Sequence, residues 1–300
     1  MDATGTVGRA WDRMRKALFP FDFGRWFSFG FIFFLQSLLE GGATIPNFNF
    51  RQRFTGRGGG LAPDWREMAA DVQRWIDANK GSLALVGAVT FVLVVGLGVL
   101  LLWFGTRGQM MSIRAVASGR AAIGEHWASS RVAAWSLFKT HLVISGGAFL
   151  LGAPLFVLGA SRLLDLAASG APDEAIIAGM IPFAVVGSVL YLVASIVTTI
   201  LRNFVAPVMQ QCHMSAGQAW SHFAGAASGH WGSIILFFVI RFFLGLGAAI
   251  VALVAGFCTC CIGALPVIHQ TIMAPWYFFE RAYGLEAIES LGPGMKMFDD

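Results

Sequence analysis

Five stretches of this chain run for about twenty residues or more almost without charge. Residues 82–104, 142–161, 175–201 and 258–279 contain no Asp, Glu, Lys or Arg, and 233–257 contains one such residue, Arg241. An α-helix needs about 20 apolar residues to cross a ~30 Å hydrocarbon core. Only 13% of the 300 residues are charged and 56% are hydrophobic, whereas a soluble domain carries about 25% charge. The coat that water requires is missing. The chain reads as an all-α, polytopic integral membrane protein.

A sixth apolar segment, 26–40, is shorter and ends at Glu40-Gly41-Gly42. It reads as an uncleaved spanning helix lengthened by its flanks, with a re-entrant segment as the alternative. The long stretch before it and the lack of a small-x-small site argue against a cleaved leader. The expectation is one membrane domain over 26–290, its six transmembrane helices (26–40, 82–104, 138–161, 175–201, 232–257 and 258–280) forming three tandem helical hairpins. An amphipathic segment at 1–25, an outer-loop helix at 63–80 and a tail at 291–300 complete it.

The cations supply an orientation. With the N-terminus inside, thirteen of the 21 Lys and Arg residues fall on the inner side and seven on the outer, with Arg241 between. By the positive-inside rule both termini are cytoplasmic, although the basic 41–80 segment runs against the bias. Trp26, Trp135 and Trp231 open the odd helices, while Trp103 and Trp276 close even ones. All five then sit at the inner interface, where indoles prefer to be.

Set under their opening tryptophans, the odd helices show a threefold pattern. Ten residues after each lies a polar side chain: Gln36, Ser145 and Arg241. The even helices carry Val205-Ala206-Pro207-Val208-Met209 and Met273-Ala274-Pro275-Trp276-Tyr277, each followed by a glycine, Gly217 and Gly284, with Gly119-Arg120-Ala121-Ala122 as a diverged counterpart. An internal repeat of three hairpins is the simplest reading. The run Asn203-Phe-Val-Ala-Pro-Val-Met, then Ser215-Ala-Gly-Gln-Ala-Trp220, then Trp231, resembles a group of prokaryotic six-helix membrane proteins. These are similar to the membrane domain attached to some glycerophosphodiester phosphodiesterases. The resemblance covers most of 20–290 and implies architecture and a prokaryotic cytoplasmic (cell inner) membrane. It carries over no active-site residue, because no soluble segment here is long enough to hold the phosphodiesterase domain.

Residues 7–18 place Val7, Trp11, Met14 and Leu18 on one stripe, with Arg9, Arg13 and Lys16 away from it. That is a basic amphipathic helix suited to anionic headgroups, or else an ordinary packed helix. In 63–80, Trp65, Met68, Val72, Trp75 and Ile76 make a similar stripe after the basic loop 51–60 and Asn47-Phe-Asn-Phe.

Arg241 is the main site candidate. A guanidinium at mid-bilayer costs about 2.5–3.5 kcal/mol on insertion scales, so it needs partners. Counted at 1.5 Å per residue, it lies ~15 Å in, near the midplane. Equal depth nominates Gln36, Tyr191 or Ser195, His269 and Gln270, with Glu40 the acid able to approach. Either a ligand-binding polar layer or a network locking the hairpins follows. Cys258, Cys260 and Cys261 admit small-residue packing, a disulfide or a soft metal. The 9- and 8-residue spacings of His213, His222 and His230 match no compact metal motif. No cofactor, metal or nucleic-acid module is expected.

The function these features favour is a non-enzymatic membrane-organising or partner-scaffolding component. Its partners would be anionic lipid headgroups and a second copy or another membrane protein. The alternatives are a small transporter or channel-like protein for an anionic or amphiphilic solute, centred on Arg241, and a membrane-embedded lipid enzyme.

Overall fold

The computed structural model describes residues 3–39, 74–75, 78–258, 265–292 and 295–298. Every regular element among them is helical. In order they are α1 (Ala3–Leu18), α2 (Phe23–Ser37), α3 (Lys80–Ser118), α4 (Ile123–Ser129), α5 (Arg131–Ala168) and α6 (Asp173–Ile200). A π-helical turn (Leu201–Val205) follows, then α7 (Ala206–Gln211), α8 (Ala216–Ala227), α9 (Trp231–Cys258), α10 (Pro266–Ile272) and α11 (Ala274–Glu289). Among the described residues four helices are long and apolar enough to cross a membrane: Lys80–Ser118, Arg131–Ala168, Asp173–Gln211 and Trp231–Ala255. The chain is a helical membrane protein.

Within segment 26–40 the helix ends at Ser37, and the described part of segment 258–280 is a broken helix. The Asp22 carboxylate caps α2 by accepting the Arg25 backbone N–H at 2.6 Å, and the helix ends after 15 residues, ~22 Å at 1.5 Å per residue. In the last segment the helix is interrupted at Met273, just before Ala274-Pro275. Proline has no N–H to donate, and its ring crowds the carbonyl four residues back. The helix therefore restarts as α11 and continues past residue 280 to Glu289. Glu40, the 51–60 loop, residues 63–73, 76 and 77 of the expected 63–80 helix and the side chains of Cys258, Cys260 and Cys261 lie outside the described residues.

The chain divides into two compact units. One comprises Asn49–Val99 and Leu142–Thr198, the other Met1–Phe48, Leu100–His141 and Thr199–Asp300. In the first, apolar side chains point outward: Leu93, Leu150, Phe156 and Val185 are all exposed. That inversion suits a lipid surround, where there is no gain in hiding hydrocarbon from hydrocarbon. Helices α5 and α6 meet at Gly159, which faces Phe183, and at Gly179, which faces Leu166. Gly170 at φ +69° turns the chain between them, while Ala171 N–H reaches back to the Leu166 carbonyl at 3.2 Å. This is the glycine-terminated helix end that a Cβ would strain.

The second unit has a packed core around α11, where Phe278, Phe279 and the residues from Arg281 to Ile288 are buried. Phe237 stacks on Tyr283 at 4.7 Å between centroids, and Phe204 stacks on Phe223 at 4.9 Å. Helix α1 packs on α11, which corrects the face expected for it. Thr6, Ala10, Met14 and Leu18 are buried, whereas Trp11 is 56% exposed. Arg9 and Arg13 donate to Glu286 of α11 at 2.6 and 2.7 Å, while Arg15 and Lys16 stay exposed and the Trp11 ring meets Phe279 of α11 edge-on at 6.3 Å. Close approach elsewhere uses glycine: a Cβ on Gly108 would collide with the backbone of Leu35 and Gln36 on α2, and one on Gly30 with Thr271 of α10.

Candidate functional site

Pro207 gives the site its shape. It cannot donate to the helix, and just before it the chain widens into the π-helical turn Leu201–Val205. Such turns release backbone groups from the regular ladder. The Arg202 carbonyl accepts from Gln109 Nε2 on α3 at 3.1 Å and from Arg281 Nη1 on α11 at 3.3 Å. Asn203 turns its amide nitrogen to the Thr199 carbonyl at 2.8 Å. Its Oδ1 is thereby left to accept from Arg241 Nη1 on α9.

The other fork of Arg241 donates to Glu280 on α11. Arg202 Nη2 lies 3.8 Å from the same carboxylate. Burial alone would raise the Glu280 carboxyl, but Arg241, Arg202 and Arg281 together hold it below the usual carboxylate range. Three guanidiniums thus act on one carboxylate, and Arg241 adds to it a charge-assisted hydrogen bond, the stronger kind. Gln36, Tyr277 and these charged groups line a cavity of about 10 Å³, the space one water occupies.

Of the residues nominated by depth, Arg241 and Gln36 come together at this cavity. Gln270 on α10 is 2% exposed and has no partner for its Oε1 among the described residues, but it does not line the cavity. His269 sits beside it, half-buried. Tyr191 on α6 is 77% exposed. The acid that meets Arg241 is Glu280. It stands beside Arg281 where the last apolar run meets charge, and that adjacent pair was the signal in the sequence. Asn203 opens the quoted Asn-Phe-Val-Ala-Pro motif, and its role needed the π turn to become visible.

The arrangement holds charge and donates hydrogen bonds; it joins no nucleophile to a base. Among the described residues no three His, Cys, Asp or Glu side chains gather closely enough to hold a metal ion.

Residues 1–289 match a family of unknown function, DUF7544. The chain belongs to DUF7544. No curated protein and no solved structure matches it. The DUF7544 match runs from α1 through α11, so the Arg241–Glu280 cluster and the Glu286 clasp both fall within it.

Proposed function

We propose that this DUF7544 protein is a non-enzymatic, multi-pass component that organises partner helices, its own copies or another membrane protein, in a prokaryotic cytoplasmic membrane with both termini inside. The observation that carries this reading is where its glycines face. Glycine in a membrane helix lets another backbone come close. Gly30, Gly105 and Gly108 serve that role within the chain, whereas Gly87, Gly96, Gly98, Gly146, Gly147, Gly245 and Gly247 have nothing among the described residues within 4 Å of where a Cβ would stand. On this reading they receive helices of other chains.

The Arg241 cluster supports the same reading. With its charge paired and room for about one water, it acts as a lock between helices. Exposed apolar side chains flank Arg241 on both sides along α9, from Ile235, Leu236 and Val239 to Phe242, Phe243 and Leu246, while Phe237 lies in the core. The guanidinium therefore turns to the protein side of an otherwise lipid-facing helix, where Asn203 and Glu280 receive it. Three hairpins follow, with short α2 and α10 completing the first and third. Gly108 against α2, Gly105 against Leu39 just past its end, Gly159 against Phe183, and Arg241 against Glu280 are the contacts that antiparallel pairs would make. The break of α geometry just before both Ala206-Pro207 and Ala274-Pro275 supports an internal repeat.

The excess of guanidinium over carboxylate favours a second reading, an anion carrier. Particle mass in lipid nanodiscs separates the two. The scaffold reading expects assemblies larger than one chain that dissociate in Gly245→Leu/Gly247→Leu. A monomer with solute flux in proteoliposomes, lost in Arg241→Gln, would replace it with the carrier.

A further inference from the structure

We propose that Arg107 and Arg131 form a binding site for the headgroup phosphate of an anionic phospholipid. Both line one cavity of about 430 Å³, with Trp103, Val132 and Trp135. Arg107 is held in place from one side: its Nη1 donates to the Trp127 carbonyl at 2.7 Å. Its guanidinium lies 4.8 Å from the Trp127 ring centroid and 5.6 Å from that of Trp103. One N–H and the aromatic faces are thus engaged, and the remaining donors meet no acceptor among the described residues. Arg131 is exposed and opens α5, where the helix terminus adds field of the same sign.

No carboxylate lines this cavity. The acid closest in sequence, Glu125, is 62% exposed and lies 3.8 Å from Arg120. Two fixed cations sharing a pocket without an acid call for an anion, and a phosphate accepts from two guanidinium forks at once. The walls identify the source of that phosphate. Val132 and Trp135 are exposed apolar groups in its lining, and indoles mark the depth where headgroup meets acyl chain. A water-borne phosphate would have no use for such a rim. The site does not depend on whether the chain scaffolds or transports.

Native mass spectrometry of the full-length protein in neutral detergent tests this, titrated with phosphatidylglycerol, phosphatidylcholine and inorganic phosphate. Phosphatidylglycerol should bind in preference to phosphatidylcholine, and millimolar inorganic phosphate should not displace it. Each cation near an anionic surface contributes about a fivefold effect. Arg131→Gln should therefore weaken phosphatidylglycerol about fivefold, and Arg107→Gln/Arg131→Gln about thirtyfold. Lys139→Gln, an exposed cation on the same helix, should change nothing. Arg131→Glu keeps the test decisive should the double variant not fold, because residue 131 is exposed: it should abolish the preference. Unchanged affinity in the Arg131 variants, equal binding of the two lipids, or displacement by inorganic phosphate would each overturn the proposal.

Discussion

Arg241 Nη2 donates to Glu280 Oε1, 39 residues further along the chain. The pair is asymmetric, because Glu280 also has Arg202 within 3.8 Å and Arg281 nearby, whereas Arg241 has one acid. Glu280→Gln strips the charge that three guanidiniums share and should destabilise by ~3–5 kcal/mol, the usual cost of breaking a buried ion pair from one side. Arg241→Met should cost less, and Arg241→Met/Glu280→Gln should lie closer to Arg241→Met than the sum. Unfolding in mixed micelles followed by circular dichroism measures all three. An Arg241→Met loss as large as that of Glu280→Gln would show that the other guanidiniums do not share the carboxylate.

Tyr283 supplies a pH-dependent prediction. Its hydroxyl is buried without a hydrogen-bond partner among the described residues, and burial pushes its pKa from 10.0 up to about 12 against a smaller opposing pull from Arg241. A folded value above the unfolded one means the neutral phenol is favoured in the native state. That contribution is complete below pH 10 and disappears as the pH rises through about 12. Tyr283→Phe should therefore be near neutral at pH 7, since no hydrogen bond is lost, and should flatten the fall in melting temperature between those values. An unchanged alkaline limb would count against this.

Gly108 and Gly225 make a matched pair. A Cβ at 108 meets the α2 backbone, which cannot move aside, while at 225 it meets nothing within 4 Å. Gly108→Ala should destabilise by ~1–3 kcal/mol through overpacking and raise hydrogen exchange in α2. Gly225→Ala should be neutral or stabilising by up to ~1 kcal/mol, because alanine is the better helix former.

Glu286 holds α1 through two arginines. Arg13 is also braced by Phe298, whose ring centroid lies 3.6 Å from the guanidinium carbon; Arg9 is about half exposed. Glu286→Gln should cost about 1–3 kcal/mol, expressed locally as faster exchange and proteolysis within α1. Arg9→Gln should have a smaller effect, since solvent screens that half of the clasp. Equal protection of α1 in wild type and Glu286→Gln would mean apolar packing alone docks it.

Much of this protein is written in run length. The four candidate spans fall on apolar stretches recognisable by counting, and the Arg241–Gln36 meeting follows from equal depth. The α1 stripe was legible as amphipathic, but not in its rotation. Apolar periodicity names a hydrophobic face without saying that Arg13 beside it will meet a carboxylate 273 residues away. Glu280 escaped for a related reason. Counting fixes height along a helix, while the partner met at that height depends on how another helix returns and on where it breaks, as α10 does at Met273.

The sequence by itself determined the medium and the secondary structure, because transfer of hydrocarbon into lipid and backbone hydrogen bonding within a helix are local and additive along the chain. Only the tertiary structure decided which charges meet, since pairing depends on side-chain direction and helix ends across distant segments, and no local pattern encodes those.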